Sequence, residues 1–181
     1  MIKRNFIEKY KMPFNLCDFF IKYHKNNKEY KRIGMSGNGQ VDKEVKDSTD
    51  VLFFNESTDK NILKFFKYLS NYLREYMIKY QLTTSLRTEP THLIQHYKKG
   101  GGYFNTHYEK GNLATVQREL VYMLYCNNVK KGGTYFPYQD IELECKKGDL
   151  ILWPAYFTHP HKGVISKKQE KYIVTGWFKI I

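Results

Sequence analysis

The feature that most restricts the fold is the pattern of short segments in the second half of the chain. From about residue 90 onward, segments rich in aromatic and β-branched residues alternate with glycine-containing turns at 99–102, 127–133 and 146–149. This pattern predicts strands at 92–97, 103–107, 117–126, 134–136, 141–145, 150–153, 163–165 and 171–178. Strands that follow one another without helices between them are typical of sandwiches, jelly rolls and barrels rather than of parallel βαβ units.

Two segments of the first half have apolar residues at helical spacing. In the first, Asn15 is the expected N-cap, and the apolar face consists of residues 16, 19, 20 and 23. The second is expected to begin after Ser57 or Thr58, and its apolar residues recur at helical spacing from 62 to 80. The second helix is therefore expected to lay one broad apolar stripe against a sheet.

The chain is expected to form one domain that spans residues 1–181. Its length and its 41% hydrophobic residues are enough to bury a core, and it contains neither a linker-like segment nor an internal repeat. The predicted fold class is α+β and mainly β: a double-stranded β-helix over about 88–181, buttressed by helices within about 1–85. A loop at 34–39 and a short strand at 51–54 are expected between the two helices.

Charge and cysteine content narrow the function only slightly. A formal net charge of +12 favours acidic partners, including nucleic acid, but the lysines are spread along the chain, as on an ordinary lysine-rich surface. Cys17, Cys126 and Cys145 are far apart and odd in number, so neither a disulfide framework nor a thiolate zinc site is expected. Without an apolar run of membrane-spanning length or a signal-like start, a cytoplasmic protein with no membrane partner is expected.

A candidate metal site begins with His107 and Glu109. Residues i and i+2 of an extended strand project to the same face, so this pair would aim an imidazole and a carboxylate at one point. A third ligand from a distant strand would complete a triad of two histidines and one carboxylate, which suits Fe(II) and oxygen chemistry rather than structural zinc. Taken alone the pair is a weak signal, because a surface strand can carry the same two residues.

The third ligand is expected from the segment 153–161, which ends in His159 and His161. Ten residues after His161, Lys171 opens an apolar strand. A buried ammonium group without a partner is costly, and a carboxylate ligand inside the barrel would satisfy it. These residues together indicate a metal site next to a site for an anionic small molecule.

Further motifs follow one another in a fixed order along the second half. Tyr97 precedes a glycine-rich turn at 100–102, and the His-x-Glu pair at His107 and Glu109 follows. Arg118 comes next, then a strand that ends in Tyr-x-Asn at 125–127, Gly-Gly-Thr at 132–134, Phe-Pro at 136–137 and Lys-Gly-Asp at 147–149. The series ends with the distal histidine His161, Lys171 and Trp177. The series resembles the prolyl-hydroxylase branch of the 2-oxoglutarate/Fe(II) oxygenase superfamily, and in detail its small members from bacteriophages and other viruses.

The resemblance covers about residues 90–178 and implies that His107, Glu109 and His161 bind Fe(II). The ten-residue spacing to Lys171 favours His161 over His159 as the distal ligand. The carboxylate is the one departure among the ligands, since this branch has aspartate where the chain has Glu109. Glutamate reaches one methylene further, and several members of the superfamily use it.

The resemblance also implies a site for 2-oxoglutarate. Lys171 would pair with its distal carboxylate, helped by the hydroxyl groups of Tyr125 and Thr175, and Tyr97 would lie near the 2-oxo acid end. Arg118 has two candidate roles: it could contact the substrate, or it could pair with a carboxylate of a loop. Trp177 is a second candidate for a substrate contact.

The activity implied by this resemblance is hydroxylation coupled to the conversion of 2-oxoglutarate and O2 to succinate and CO2, with ascorbate as a supporting reductant. The expected substrate is a protein or peptide residue such as proline. The positive charge also permits oxidation of a nucleobase, although no arginine-rich strand follows the distal histidine. The residues are compatible, too, with oxidation of a small metabolite and with a non-catalytic β-barrel binding module.

Overall fold

The computed structural model describes residues 4–36 and 39–181, and its helices lie in the first half of the chain. Helix α1 spans Phe14–Asn26, helix α2 spans Lys60–Tyr80, and a 3₁₀ turn lies at Lys28–Tyr30. The strands are β1 (Glu8–Lys11), β2 (Arg32–Ile33), β3 (Thr49–Phe54), β4 (Leu86–Thr88), β5 (Thr91–Tyr97), β6 (Arg118–Tyr125), β7 (Val129–Phe136), β8 (Ile141–Cys145), β9 (Asp149–Pro154), β10 (Lys162–Gly163) and β11 (Lys171–Ile180). Residues 37 and 38 of the loop expected at 34–39 lie outside the described residues.

The strands form two antiparallel sheets that face each other. The larger sheet has the order β1-β9-β6-β11-β5-β3-β2, with β4 paired to the end of β11, and the smaller has the order β10-β7-β8. Tyr125 and Trp153 of the larger sheet pack with Phe136 of the smaller one in a buried cluster between the sheets. The predicted mainly β fold, a double-stranded β-helix buttressed by helices, is confirmed. That the chain is one domain stays a prediction.

The two helices cover the outer face of the larger sheet. Strand β6 lies in the middle of that sheet, and its residues 120–125 are all buried. Val121 points into the space between the sheets, whereas Tyr122 packs with Phe20 of α1 and Phe65 of α2. Because both faces are covered, β6 is nearly continuously apolar instead of alternating. In the part of the chain that is described, neither helix has the length and apolar character needed to cross a membrane.

The helix starts differ from the predicted caps. Pro13 stands at the N-cap of α1, so the cap predicted at Asn15 is wrong; the fixed φ angle of proline suits a helix start. The N-cap of α2 is Asp59, whose carboxylate accepts from the backbone N–H groups of Asn61 and Ile62 over 2.7 and 3.3 Å. The prediction of Ser57 or Thr58 is therefore also wrong, because only the carboxylate at 59 stands at the right distance from the first free N–H groups.

Three of the predicted strands are wrong in extent. The strand expected at 134–136 begins at Val129, so most of the turn predicted at 127–133 belongs to β7. The segment 103–107 forms only isolated bridges, since Tyr103 pairs with Lys46 whereas His107 pairs with His161. Its backbone crosses from one partner segment to another, so no continuous ladder can form. The strand expected at 163–165 is confined to Lys162–Gly163. Strands β1, β2 and β4 were not expected from the sequence, because each is short and lacks a clear apolar alternation.

His92 is a buried histidine on the helix-covered side of the larger sheet. Its Nδ1 accepts from the Tyr122 hydroxyl, and its Nε2 lies 2.7 Å from Oδ1 of Asn55. Gly176 leaves room for this pair, because an added Cβ would collide with both rings. Burial lowers the pKa of His92 from its ordinary value of 6.5 to about 4. The histidine is therefore neutral in the folded protein at neutral pH.

We expect the free energy of unfolding to fall as the pH is lowered from about 6.5 to about 4. In this window the unfolded chain binds a proton on His92 that the folded protein excludes, and the difference in pKa corresponds to about 3 kcal/mol. Urea unfolding at several pH values measures the loss. The comparison variant is His92→Gln, which keeps hydrogen-bonding groups but does not titrate, so its loss should be smaller. An equal loss of unfolding free energy in both proteins would show that His92 is not the group responsible.

Candidate metal centre

The two histidines that are distant in sequence meet because their backbones pair. The His107 N–H donates to the carbonyl of His161 over 3.0 Å, and the His161 N–H donates to the carbonyl of His107 over 2.9 Å. Residues that stand opposite each other in antiparallel pairing project to the same face. Glu109 follows His107 at i+2 and joins them, so that one ligand atom from each residue lies within 4.8 Å of the others.

Hydrogen bonds fix which nitrogen of each imidazole faces the centre. Nδ1 of His107 lies 3.0 Å from the carbonyl of Asn105, and Nδ1 of His161 lies 3.1 Å from the carbonyl of His159. A carbonyl accepts only, so each Nδ1 carries the proton and each Nε2 keeps its lone pair for a metal. Burial lowers the pKa of His161, which favours the neutral form that metals bind.

Glu109 turns one carboxylate oxygen toward both histidines. Its Oε1 lies 3.5 Å from Nε2 of His107 and 3.6 Å from Nε2 of His161. Burial by itself raises the pKa of Glu109; in the metal-free protein, imidazoles that also carry a proton on Nε2 outweigh this effect through hydrogen bonds and charge, and hold that pKa well below its usual range. Ligand atoms bound at right angles about 2.1 Å from one ion stand about 3.0 Å apart, so a small inward movement would fit these residues to a divalent metal.

His159 has a different environment from His161. Its Nε2 lies 2.9 Å from the carbonyl of Asn5, and its Nδ1 lies 2.9 Å from the Thr158 hydroxyl. Both ring nitrogens thus have partners away from Glu109. The side chain also meets Phe6 edge to face, with ring centroids 6.4 Å apart. His159 ties the N-terminal segment to the loop that carries His161.

Aromatic rings hold the two central imidazoles in place. The ring of Tyr103 stacks on His107 with centroids 3.7 Å apart and an interplanar angle of 16°. Trp153 meets the ring of His161 edge to face at 5.0 Å, and Phe136 lies 5.5 Å from it. His161 is buried, whereas His107 is partly open to solvent. The centre is therefore walled on the barrel side and accessible on the other.

Lys171 places a cation inside the barrel. Its Nζ donates to the carbonyl of Gly132 over 2.8 Å, and burial lowers its pKa from 10.5 to about 8. Among the residues that the structure describes, no carboxylate lies within ion-pair distance of this ammonium group. Gly163, two residues after His161, runs beside it, since an added Cβ there would lie 3.8 Å from Nζ. A buried cation without an anion thus stands next to the strand that leads from the candidate metal ligand.

Two tyrosines and one threonine of the predicted cosubstrate site line the same interior. Tyr97 stands opposite Lys171 across β5 and β11, with Nζ 5.3 Å from its ring centroid. The Tyr125 hydroxyl bonds Oγ1 of Thr134 over 2.7 Å, and the Thr175 hydroxyl donates to the carbonyl of Tyr122 over 3.0 Å. Burial raises the pKa of both Tyr97 and Tyr125, so their hydroxyl groups stay protonated. Their roles toward 2-oxoglutarate remain predictions.

Arg118 and Trp177 lie on the other side of the centre. The guanidinium group stacks on Trp177, with Cζ 3.6 Å from the ring centroid, and forms a two-pronged ion pair with Glu89. Its remaining nitrogen, Nη1, lies 3.5 Å from Oε2 of Glu109. Glu89 was missed in the sequence because it belongs to no motif, and only the tertiary fold brings it to Arg118.

The sequence model of the 2OG-Fe(II) oxygenase superfamily matches residues 92–179, a range that contains the three central residues and Lys171. A search of curated protein sequences gives no match. Among solved structures, the chain is similar to the viral collagen prolyl hydroxylase from Paramecium Bursaria Chlorella virus-1 in its 2OG complex. The TM-score is 0.75 and the identity 20%, over 98% of this chain and 97% of that one.

Two further structures have the same fold. A Pseudomonas putida prolyl-4-hydroxylase is 13% identical over 97% of this chain and 92% of that one, with a TM-score of 0.74. A Trichoplax adhaerens prolyl hydroxylase, solved with a hypoxia inducible factor peptide fragment, is 11% identical over 97% of this chain and 84% of that one, with a TM-score of 0.79. At these identities the likeness shows the fold alone.

Proposed function

We propose that the chain is a 2OG-Fe(II) oxygenase, the superfamily whose sequence model matches residues 92–179, and that it hydroxylates proline in a peptide or protein, with His107, Glu109 and His161 as the Fe(II) ligands. The enzyme is a 2-oxoglutarate-dependent dioxygenase, and it uses Fe(II), 2-oxoglutarate and O2. The observation that carries the proposal is that the three side chains meet with both Nε2 lone pairs facing Glu109 Oε1. The cytoplasmic location expected from the sequence stays a prediction.

Fe(II) and 2-oxoglutarate, when bound, would supply the oxidative chemistry, in which decarboxylation to succinate is coupled to insertion of one oxygen atom of O2 into a substrate C–H bond while the other enters succinate. The chain itself supplies ligands, orientation and shelter from water. Asn105 and His159 orient the two imidazoles through their carbonyls. Trp153 and Phe136 close the barrel side of the centre, so the reacting groups would be protected from solvent there.

Lys171 would hold the distal carboxylate of 2-oxoglutarate. The ammonium group lacks an anionic partner among the described residues, and a buried charge is stabilised chiefly by a paired, hydrogen-bonded counter-charge. The protonated hydroxyl of Tyr125 would donate a further hydrogen bond to that carboxylate. Because Lys171 and Gly163 adjoin, a short dicarboxylate could reach from the lysine to the metal ligands.

A rim of exposed apolar side chains around the centre supports a peptide substrate. Tyr108 is 44% exposed, Tyr138 70% and Phe157 62%. Their loops adjoin, because the backbone N–H of Glu109 bonds the carbonyl of Ala155 and the side chain of Gln139 bonds the carbonyl of Thr158. Aromatic surfaces of this kind are used to bind extended proline-rich segments, and the Trichoplax enzyme was solved with a peptide.

We expect a proline-containing acidic peptide to stimulate succinate formation and to gain the mass of one oxygen atom on proline. The assay contains Fe(II), 2-oxoglutarate and ascorbate, with mass spectrometry of the peptide. The acidic residues are chosen because the net charge of the chain is +12. The matched control is the same peptide with alanine in place of every proline, which should not gain oxygen.

Different outcomes of this assay would overturn parts of the proposal. Stimulation by an oligonucleotide but not by the peptide would show that the substrate is a nucleobase, and binding over a salt series would then measure the phosphate contacts. Stimulation by a small metabolite alone would exclude the peptide. If succinate does not form and neither metal nor 2-oxoglutarate raises Tm, the chain acts as a non-catalytic binding module and the proposed hydroxylation fails.

A further inference from the structure

The carboxylate of Glu109 has two oxygens in different environments. Oε1 faces the two Nε2 atoms at 3.5 and 3.6 Å, whereas Oε2 lies 3.5 Å from Nη1 of Arg118. A carboxylate can bind a metal through one oxygen or through both, and the partner of the second oxygen decides between the two modes. The contact with Arg118 therefore bears on how many metal positions Glu109 occupies.

Arg118 is itself fixed on three sides. Its Nε and Nη2 lie 2.8 and 3.1 Å from the two oxygens of Glu89, which is the side-on arrangement typical of a strong arginine–carboxylate pair. The face of the guanidinium group rests on Trp177 at 3.6 Å. The backbone N–H of Glu89 in turn donates to the carbonyl of Trp177 over 2.9 Å, so these three residues form a closed support. Nη1 is thereby directed toward Oε2 of Glu109.

We propose that Arg118 is a positioning residue that holds Glu109 as a single-oxygen ligand; this rests on the proposed function, in which Glu109 binds the metal. With Oε2 kept on the arginine, the protein occupies three metal positions and leaves three for 2-oxoglutarate and O2. Without the arginine, Oε2 is free to turn toward the metal and to occupy one of these open positions. Arg118 would thus act through Glu109 and not through the substrate.

The contact between Arg118 and Glu109 matters because glutamate has one methylene more than aspartate. Compared with aspartate, Glu109 has one more rotatable bond, and its carboxylate can take more positions for the same backbone. The side chains of Glu109 and Arg118 are each only 15% exposed, so few water molecules compete for their contact. An arginine that is already immobilised by Glu89 and Trp177 restricts the glutamate at little further cost in entropy.

The experiment uses Co(II) as a probe in place of Fe(II), because its visible absorption depends on coordination number and geometry. Arg118→Gln is expected to bind Co(II) about ten- to a hundredfold more weakly than the unsubstituted protein and to show a different absorption spectrum. Arg118→Lys keeps a cation but cannot bridge two carboxylates. Its affinity for Co(II) is therefore expected to lie between those of the unsubstituted protein and of Arg118→Gln. The spectrum is recorded at saturating Co(II), where only folded, metal-loaded protein contributes.

The matched control is Arg87→Gln, the same change at an exposed arginine on β4. It should leave both the affinity for Co(II) and the spectrum unchanged. Thermal unfolding of the metal-free variants shows whether each one folds. If Arg118→Gln is folded only in part, the shape of its spectrum still decides the question, because that shape is independent of the folded fraction.

The proposal is overturned by a folded Arg118→Gln protein whose Co(II) spectrum is unchanged, whatever its affinity. If the KM of that variant for the peptide is also raised, Arg118 is a substrate contact. Failure of the proposed function is separate: it would appear as Co(II) binding by the unsubstituted protein that His161→Ala does not weaken.

Discussion

Replacing His161 with alanine is expected to abolish Fe(II) binding and succinate formation, whereas His159→Ala is expected to retain most of both. His161 presents a free Nε2 lone pair to the centre, 3.6 Å from Oε1 of Glu109. Both ring nitrogens of His159 already have partners, Asn5 and Thr158. Removing a neighbour that only orients a ligand costs about ten- to a hundredfold in metal affinity, so removing the ligand itself should cost more.

Titration calorimetry with Fe(II) under anaerobic conditions measures this difference, and the two variants are controls for each other. His159→Ala should instead lower stability by about 1 kcal/mol, because it removes the hydrogen bond to Asn5 and the contact with Phe6. Loss of the metal in His159→Ala and its retention in His161→Ala would move the distal ligand to His159. That result would also break the ten-residue spacing to Lys171 on which the choice depends.

The meeting of His107, Glu109 and His161 could be predicted from the sequence, although part of the reasoning was wrong. The expected strand at 103–107 does not form, yet a single antiparallel bridge between the histidines has the same effect on their side chains. One bridge is enough because it fixes the local backbone direction at both residues. The i, i+2 rule thus held at the candidate ligands His107 and Glu109 without a continuous strand around them.

The surroundings of the triad could not be predicted in the same way. Glu89 lies 29 residues before Arg118, and the pair forms only because β4 and β6 both adjoin β11. The Asn5 carbonyl that engages His159 belongs to a segment without a local signal. Ligand spacing follows local backbone geometry, whereas these supporting contacts depend on the packing of distant segments. Sequence therefore indicates which residues meet, but not what holds them in position.

The second prediction with a large expected effect concerns Lys171, the cation inside the barrel. Lys171→Met is expected to raise the concentration of 2-oxoglutarate required for half-maximal binding by about a hundredfold or more, while the affinity for Co(II) stays nearly unchanged. Loss of one partner from a buried charge pair costs about 3 kcal/mol or more, which is at least a factor of a hundred. Methionine has a similar length, so the variant removes the charge without leaving a large cavity.

The same lysine should affect the stability of the protein in the absence of 2-oxoglutarate. Burial lowers its pKa from 10.5 to about 8, so the unfolded chain binds a proton that the folded one releases between these values. Stability should therefore rise by about 3 kcal/mol as the pH is raised from about 8 to 10.5, and this rise should be absent in Lys171→Met. Urea unfolding across that range measures both.

Lys168→Met is the matched control, since Lys168 is exposed in the loop before β11. It should change neither 2-oxoglutarate binding nor the dependence of stability on pH. An unchanged requirement for 2-oxoglutarate in Lys171→Met would show that the dicarboxylate has its counter-charge elsewhere. Loss of Co(II) affinity in that variant would instead show that Lys171 supports the metal ligands. Measuring binding and stability separately distinguishes two roles for Lys171. A buried lysine without a ligand role affects only the dependence of stability on pH, whereas a lysine that binds a carboxylate of 2-oxoglutarate also sets the affinity for 2-oxoglutarate.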